Sequence, residues 1–122
     1  MKVFIADDSP LIRERLRDML TELSNVDVIG EAEHGGEARD RILQLKPDMA
    51  ILDIRMPNRM GIDVLREIKH NLPDLKVIML TNYPYPHFQR RCEEEGADYF
   101  FDKSTEFEKV TQVVQQLASD QP

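Results

Sequence analysis

Asp7, Asp8, Asp53, Thr81 and Lys103 are the residues whose types and spacing could do chemistry together. Each stands at the end of a short apolar run: Asp7 and Asp8 after Val3-Phe4-Ile5-Ala6, Asp53 after Met49-Ala50-Ile51-Leu52, Thr81 after residues 77–80, and Lys103 after residues 97–101. If the runs are neighbouring parallel strands, all five polar side chains converge at one edge of one sheet, where open α/β sheets bind ligands. Three close carboxylates repel one another, and without a cation some would be driven to protonate. Mg2+ suits such a set, because it prefers hard oxygens and takes one or two carboxylates together with waters and phosphate oxygens. An aspartate so placed can attack phosphorus to give an aspartyl phosphate. Metal, ammonium and hydroxyl would then share the three equatorial oxygens of the phosphoryl group.

Taken singly, each residue has a plainer explanation. Asp7-Asp8 suits the positive end of a helix that starts at Ser9-Pro10. Asp53 could be a turn residue before Met56-Pro57-Asn58, Lys103 a surface lysine and Thr81 an ordinary strand end. Helix capping accounts only for the first, and a carboxylate ending a fully apolar run is rare unless paired.

The elements that must position these residues alternate from end to end. Strands are expected at about 2–6, 26–31, 48–52, 76–80 and 97–101. Three are continuously apolar, as strands buried on both faces of a parallel sheet are. Ser9 and Pro10 open a first helix with Leu11, Ile12, Leu16, Met19, Leu20 and Leu23 on one apolar face. Further helices are expected at 37–45, 61–72, about 84–95 and 105–118, the fourth weakened by Pro84 and Pro86 and the fifth burying Phe107, Val110, Val113, Val114 and Leu117. Gly30, Gly61 and Gly96 are read as turns. Five β/α units with right-handed crossovers give a doubly wound, five-stranded parallel sheet with helices on both faces. The flavodoxin-like order 2-1-3-4-5 would seat Asp7, Asp8 and Asp53 side by side.

Composition narrows the function classes. At 122 residues the chain is one domain, with 41% hydrophobic and 32% charged residues. A net charge of -7 argues against direct binding to nucleic acid. No apolar stretch approaches the ~20 residues that cross a bilayer. The single cysteine, Cys92, suits a reducing compartment, so a cytoplasmic location is expected.

Val3-Phe4-Ile5-Ala6-Asp7-Asp8-Ser9, Ile51-Leu52-Asp53-Ile54-Arg55-Met56-Pro57 with Gly61, Leu80-Thr81-Asn82, and Gly96-Ala97-Asp98-Tyr99-Phe100-Phe101-Asp102-Lys103-Ser104 together resemble the receiver domain of two-component response regulators. The likeness covers essentially the whole chain, with a receiver at 1–118 and a short polar tail at 119–122. It implies Asp53 as phosphoacceptor. It implies Mg2+ ligated by Asp8, Asp53 and the backbone carbonyl of Arg55, with Asp7 acting through bound water. Lys103 would pair with phosphoryl oxygens, Thr81 would hydrogen-bond one, and Phe100 would be the rotating aromatic switch. The implied function is a signalling switch and not an enzyme with a separate substrate. Its donor would be a sensor histidine kinase or phosphotransfer protein. Its output would be a partner or domain, often a helix-turn-helix DNA-binding one, controlled through the face of the fourth helix, fifth strand and fifth helix. A phosphorylation-dependent homodimer is left open.

Three departures from the family pattern carry expectations. Ser104 stands where many receivers have proline, so Ser104 or Thr105 is expected to cap the last helix or leave its loop less rigid. Arg55 and Tyr83 hold the two positions that flank the phosphoryl group, which implies gating of the attacking water and a longer-lived phosphorylated state. Asn82 replaces a small residue and would narrow access to Asp53.

Two rival classes share the topology. A Mg2+-dependent phosphatase would want an aspartate two residues after Asp53, where this chain has Arg55. A flavin module would want hydroxyls and amides after the first strand, where this chain has Asp7-Asp8. His34, His70 and His87 show no ligand spacing and read as surface or loop residues. Cys92 beside Arg90 and Arg91 reads as a packed thiol, Met56 and Met60 as packing of the loop after Asp53, and residues 93–95 as a solvated helix end. Residues 83–88 read either as an aromatic contact patch or as partly buried.

Overall fold

Val3 and Ile5 are buried in one core while Phe4 and Ala6 are buried in another, so the first strand separates two hydrophobic layers. Successive strand side chains point to opposite faces, and a strand that is apolar throughout must be covered on both. The computed structural model describes residues 1–121 and shows five such units: β1 (Lys2–Ala6), α1 (Pro10–Thr21), β2 (Asp27–Ala32), α2 (Gly35–Leu45), β3 (Met49–Leu52), α3 (Gly61–Asn71), β4 (Lys76–Thr81), α4 (Pro86–Glu94), β5 (Tyr99–Asp102) and α5 (Phe107–Ser119). The sheet is parallel throughout, in the order β2-β1-β3-β4-β5, as the sequence led us to expect.

α1 and α5 cover one face: Leu16, Leu20, Phe107, Val110 and Val114 pack on Val3, Ile5, Met49, Ile51, Ile78 and Leu80. α2, α3 and α4 cover the other: Ala38, Ile42, Leu65, Ile68 and Cys92 pack on Phe4, Ala50, Leu52, Val77 and Met79. β1, β3 and β4 are buried from their second residue or earlier, whereas the edge strands β2 and β5 are mostly half-exposed. Among the described residues no helix is long and apolar enough to cross a membrane.

Several expectations need correction. Leu11 is 66% exposed and does not join the apolar face of α1. It precedes Ile12 by one residue and is therefore turned about 100° away from the buried stripe. Gly30 is not a turn but lies within β2, after a register shift that pairs Val3 with Val28 and Phe4 with Gly30. A Cβ there would meet the Phe4 ring at 2.7 Å, so ring packing fixes the glycine. Met60 is exposed and does not pack the loop after Asp53; Met56 does. Neither Ser104 nor Thr105 caps α5, whose first turn is preceded by Glu106 with no side-chain cap. The Ser104 N–H instead donates to Asp102 Oδ1 at 2.8 Å, closing a turn before the helix. α2 starts at Gly35 rather than at 37, α4 at Pro86 rather than at 84, and α5 at Phe107 rather than at 105. α5 runs on through Ser119; Pro122 of the expected tail lies outside the described residues.

Candidate functional site

Parallel register brings the strand ends level: Ala6 stands opposite Leu52, Leu52 opposite Met79 and Met79 opposite Phe100. Backbone bonding continues just past these rows. Asp7 N–H donates to Ala32 O at 3.0 Å, Asp53 N–H to Ala6 O at 3.1 Å and Lys103 N–H to Thr81 O at 2.9 Å. The main chain thus delivers Asp7, Asp53, Thr81 and Lys103 to one edge before it turns away. All four are buried, while Asp8 is exposed at the rim.

Lys103 Nζ lies 2.6 Å from Asp7 Oδ2 and 2.9 Å from Asp53 Oδ2, a bridge between two buried carboxylates. Asp7 Oδ1 also accepts the Ser9 N–H at 2.9 Å, and Ser9 Oγ accepts the Ile12 N–H at 3.3 Å. The cap of α1 and the acidic site are therefore one structure. Asp53 Oδ1 is buried without a hydrogen-bond partner. One oxygen from each of Asp7, Asp8 and Asp53 falls within 4.8 Å of the others, a set able to hold a divalent metal.

Burial pushes the Asp53 carboxyl upward; Lys103 opposes the rise, and Asp7 and Asp8 add to it. Burial alone would lower the Lys103 ammonium, but its hydrogen bond to Asp7 and the charges of Asp53 and Asp7 outweigh that and raise it. The site therefore holds a secure cation beside a carboxylate that is short of positive charge. An orphaned buried oxygen within an acidic cluster matches the donor set of a hard cation such as Mg2+.

Thr81 is fully buried and its Oγ1 accepts the Tyr83 N–H at 2.9 Å. The Arg55 guanidinium sits 4.2 Å above the Tyr83 ring, joining the loops after β3 and β4. Phe100 is half-buried against the core under α2, α3 and α4. Asn82 is exposed. The loop after Asp53 is closed by Gly61, whose N–H donates to Ile54 O at 2.7 Å; a Cβ at Gly61 would overlap the Asp53 carbonyl.

Elsewhere, the His34 imidazole lies 3.6 Å from the Glu33 carboxylate. Burial pushes the Cys92 thiol up to about 11, against any reactive role. Tyr85 is half exposed and stacks on His87, with ring centroids 5.9 Å apart, so this stretch presents aromatic surface. The sequence reading missed the fastening of the β3–α3 loop to α2 and α3 through Gly35, Gly36, Asn58, Arg59 and Glu67. The paired glycines were its one visible trace.

Residues 3–115 match the response regulator receiver domain family. The chain belongs to that family. This receiver is 28% identical to the response regulator protein VraR of Staphylococcus saprophyticus over 121 residues, 99% of the chain and 58% of VraR. It spans little more than half the length of VraR and of the GacA and LnrK regulators that it also matches. Among solved structures it is similar to the signal receiver domain of NarL from Mycobacterium tuberculosis, with TM-score 0.88 and 28% identity, covering 98% of this chain and 97% of that one. It is equally similar to CheY of Borrelia burgdorferi solved in complex with CheX, BeF3 and Mg2+, with TM-score 0.88 and 28% identity over 96% of this chain and 88% of that one.

Proposed function

We propose that this receiver is a phosphorylation-driven switch whose Asp53 accepts a phosphoryl group, in a Mg2+-dependent step, from a sensor histidine kinase or a phosphotransfer protein. One observation carries the reading: a buried carboxylate with one oxygen on Lys103 and the other without a partner, set among like charges. Asp8, Asp53 and the Arg55 carbonyl would hold Mg2+, with Asp7 reaching it through water; the Mg2+ in the CheY complex supports this by likeness. Bound there, Mg2+ would supply positive charge to the phosphoryl oxygens.

The chain's own residues do the rest. An Asp53 oxygen attacks the phosphorus of a phosphorylated imidazole; the O–P bond forms as the P–N bond breaks, and the imidazole keeps the electron pair. Lys103, held charged by Asp7 and Asp53, meets the incoming oxygens. The phosphoryl group adds about -1.5 to -2 of charge and three acceptors. Thr81 turns its hydroxyl from the Tyr83 N–H towards one of those acceptors and draws the β4–α4 loop with it. Phe100 turns into the space so opened, and the face of α4, β5 and α5 changes shape. Only this differential interaction can shift the balance between the two states. The changed face would then control an output domain or partner, or pair two copies of the receiver. No separate substrate is turned over. The free Cys92 and the charge of -7 fit a cytoplasmic protein that leaves nucleic-acid contact to its partner.

Intact mass after incubation with acetyl phosphate and Mg2+ tests the reading. One added phosphoryl group is expected on the wild type, and none without Mg2+ or in Asp53→Ala. An adduct that survives in Asp53→Ala, or no adduct on folded wild type when trapping is fast, would overturn it.

A further inference from the structure

We propose that the first turn of α2 is a positioning element for the phosphorylation site, holding the loop of residues 53–60 through Asn58. The inference rests on the function proposed above, because what is positioned is the Arg55 carbonyl, the third protein oxygen of the candidate metal site.

The first N–H groups of a helix have no partner within it and need one from outside. α1 meets that need locally, with Ser9. α2 does not: His34 precedes its first turn and offers no side-chain cap. Its first two N–H groups go instead to the loop after Asp53. Gly35 N–H donates to Pro57 O at 3.0 Å and Gly36 N–H to Asn58 Oδ1 at 3.1 Å, across 22 positions of sequence. This close approach requires glycine at Gly35, where backbone would be struck, and favours it at Gly36, where the end of the Asn58 side chain would have to give way. A Cβ on Gly35 would overlap the Arg59 carbonyl, and one on Gly36 would overlap Asn58 Oδ1. Asn58 itself adopts a left-handed φ of 75°, which asparagine and glycine tolerate best.

The next residue tightens the grip. The Arg59 guanidinium pairs with Glu67 of α3, and Arg39 of α2 reaches the same carboxylate at 3.5 Å. The loop is therefore tied at its start by Asp53 N–H to Ala6 O, at its end by Gly61 N–H to Ile54 O, and in its middle to α2 and α3. Arg55 lies between the first and middle ties with an exposed side chain, so its carbonyl is aimed by the fastening two and three residues downstream. Protein groups that orient a metal's ligands change its affinity without touching it.

Calorimetric titration with Mg2+ alone, on the full chain, tests this. Asn58→Gly keeps the left-handed backbone and removes the acceptor. Gly36→Ala adds a helix former to α2 while pushing Asn58 away. Each should weaken Mg2+ binding by about threefold or more, the scale of one surface hydrogen bond. Gly36→Ala should do so without lowering the melting temperature of the metal-free protein, which separates positioning from stability. Asn25→Gly, at the remote left-handed asparagine, should leave Mg2+ affinity unchanged. Saturating Mg2+ should restore the rate of labelling by acetyl phosphate in both site variants. Mg2+ affinity within about 1.5-fold of wild type in both, smaller than any hydrogen bond would leave, overturns the inference alone. A labelling deficit that saturating Mg2+ does not remove also overturns it. A wild type that binds no Mg2+ overturns the proposed function, and this inference with it.

Discussion

Both ends of the sheet carry aspartates and lysines, and they are built to opposite purposes. At the amino ends, Asp98 Oδ2 accepts the Val77 N–H at 2.9 Å and faces Lys69 at 3.0 Å, with Lys76 3.9 Å from its other oxygen. Asp48 Oδ2 accepts the Lys2 N–H at 2.7 Å. There carboxylates cap strands and are matched by cations and N–H groups. At the carboxyl ends, Asp7, Asp8 and Asp53 face one lysine, and Asp53 Oδ1 is left without a partner. The same residue types make a closed structural end and an open end short of positive charge. That deficit makes the second end a candidate for cation and phosphoryl binding.

The largest test of the contrast removes one lysine from each end. Lys103→Met leaves Asp7 and Asp53 buried with no cation, and breaking a buried pair from one side costs about 3–5 kcal/mol. Lys69→Met removes a partly exposed partner from an aspartate that keeps its backbone N–H, and about 1 kcal/mol or less is expected. Urea unfolding at neutral pH measures both, and equal losses would break the distinction. The second test supplies the missing charge: Mg2+ at a hundred times its dissociation constant should stabilise the wild type by about 2.7 kcal/mol, and Asp53→Asn by much less. Equal stabilisation of the two would place the cation elsewhere.

Asp53→Asn should also reverse the usual sign for an active carboxylate. Burial raises the folded-state carboxyl above its unfolded value, so the native state binds its proton more readily. The penalty is complete above the raised value and disappears as pH falls through it, when the wild type takes up its proton. Without metal, the Asp53→Asn variant should be more stable than the wild type by about 1 kcal/mol at pH 7, the ordinary size of a single substitution. The gain should shrink on acidification through the carboxylate range. A variant less stable than wild type at pH 7, or a gain that grows towards low pH, would show that Lys103 already satisfies Asp53.

How much of this was legible follows from the kind of signal each residue gives. Asp7, Asp53, Thr81 and Lys103 could be found because each ends an apolar run, and parallel strands turn that local fact into a shared edge. The sheet order was legible because doubly wound sheets have few ordinary orders, and 2-1-3-4-5 is the one that seats Asp7, Asp8 and Asp53 together. Leu11 and Met60 misled because an apolar type says nothing of direction; one lies off the α1 stripe and the other at the exposed entry to α3. The cap of α2 was hidden because its acceptor, Asn58, comes from another loop. The bridge from Lys103 to Asp7 was hidden too, because two carboxylates can share one ammonium only after β1, β3 and β5 are in register.

The smallest effect concerns the rim of the open end. The Arg55 guanidinium rests 4.2 Å above the Tyr83 ring, so the loops after β3 and β4 touch across the site. An exposed contact of this kind is worth about 0.5–1 kcal/mol. If it holds the two loops over the phosphoryl group, its loss should admit water and speed dephosphorylation by about two- to fivefold, the same energy expressed as a rate. Arg55→Ala and Tyr83→Leu should each do this, and the double variant no more than either, because one contact can be lost only once. Decay of 32P-labelled protein at fixed Mg2+ gives the rates. An unchanged or slower decay in Arg55→Ala removes Arg55 as a gate. Additive acceleration would mean that Arg55 and Tyr83 act on water separately and that the stacked pair is incidental.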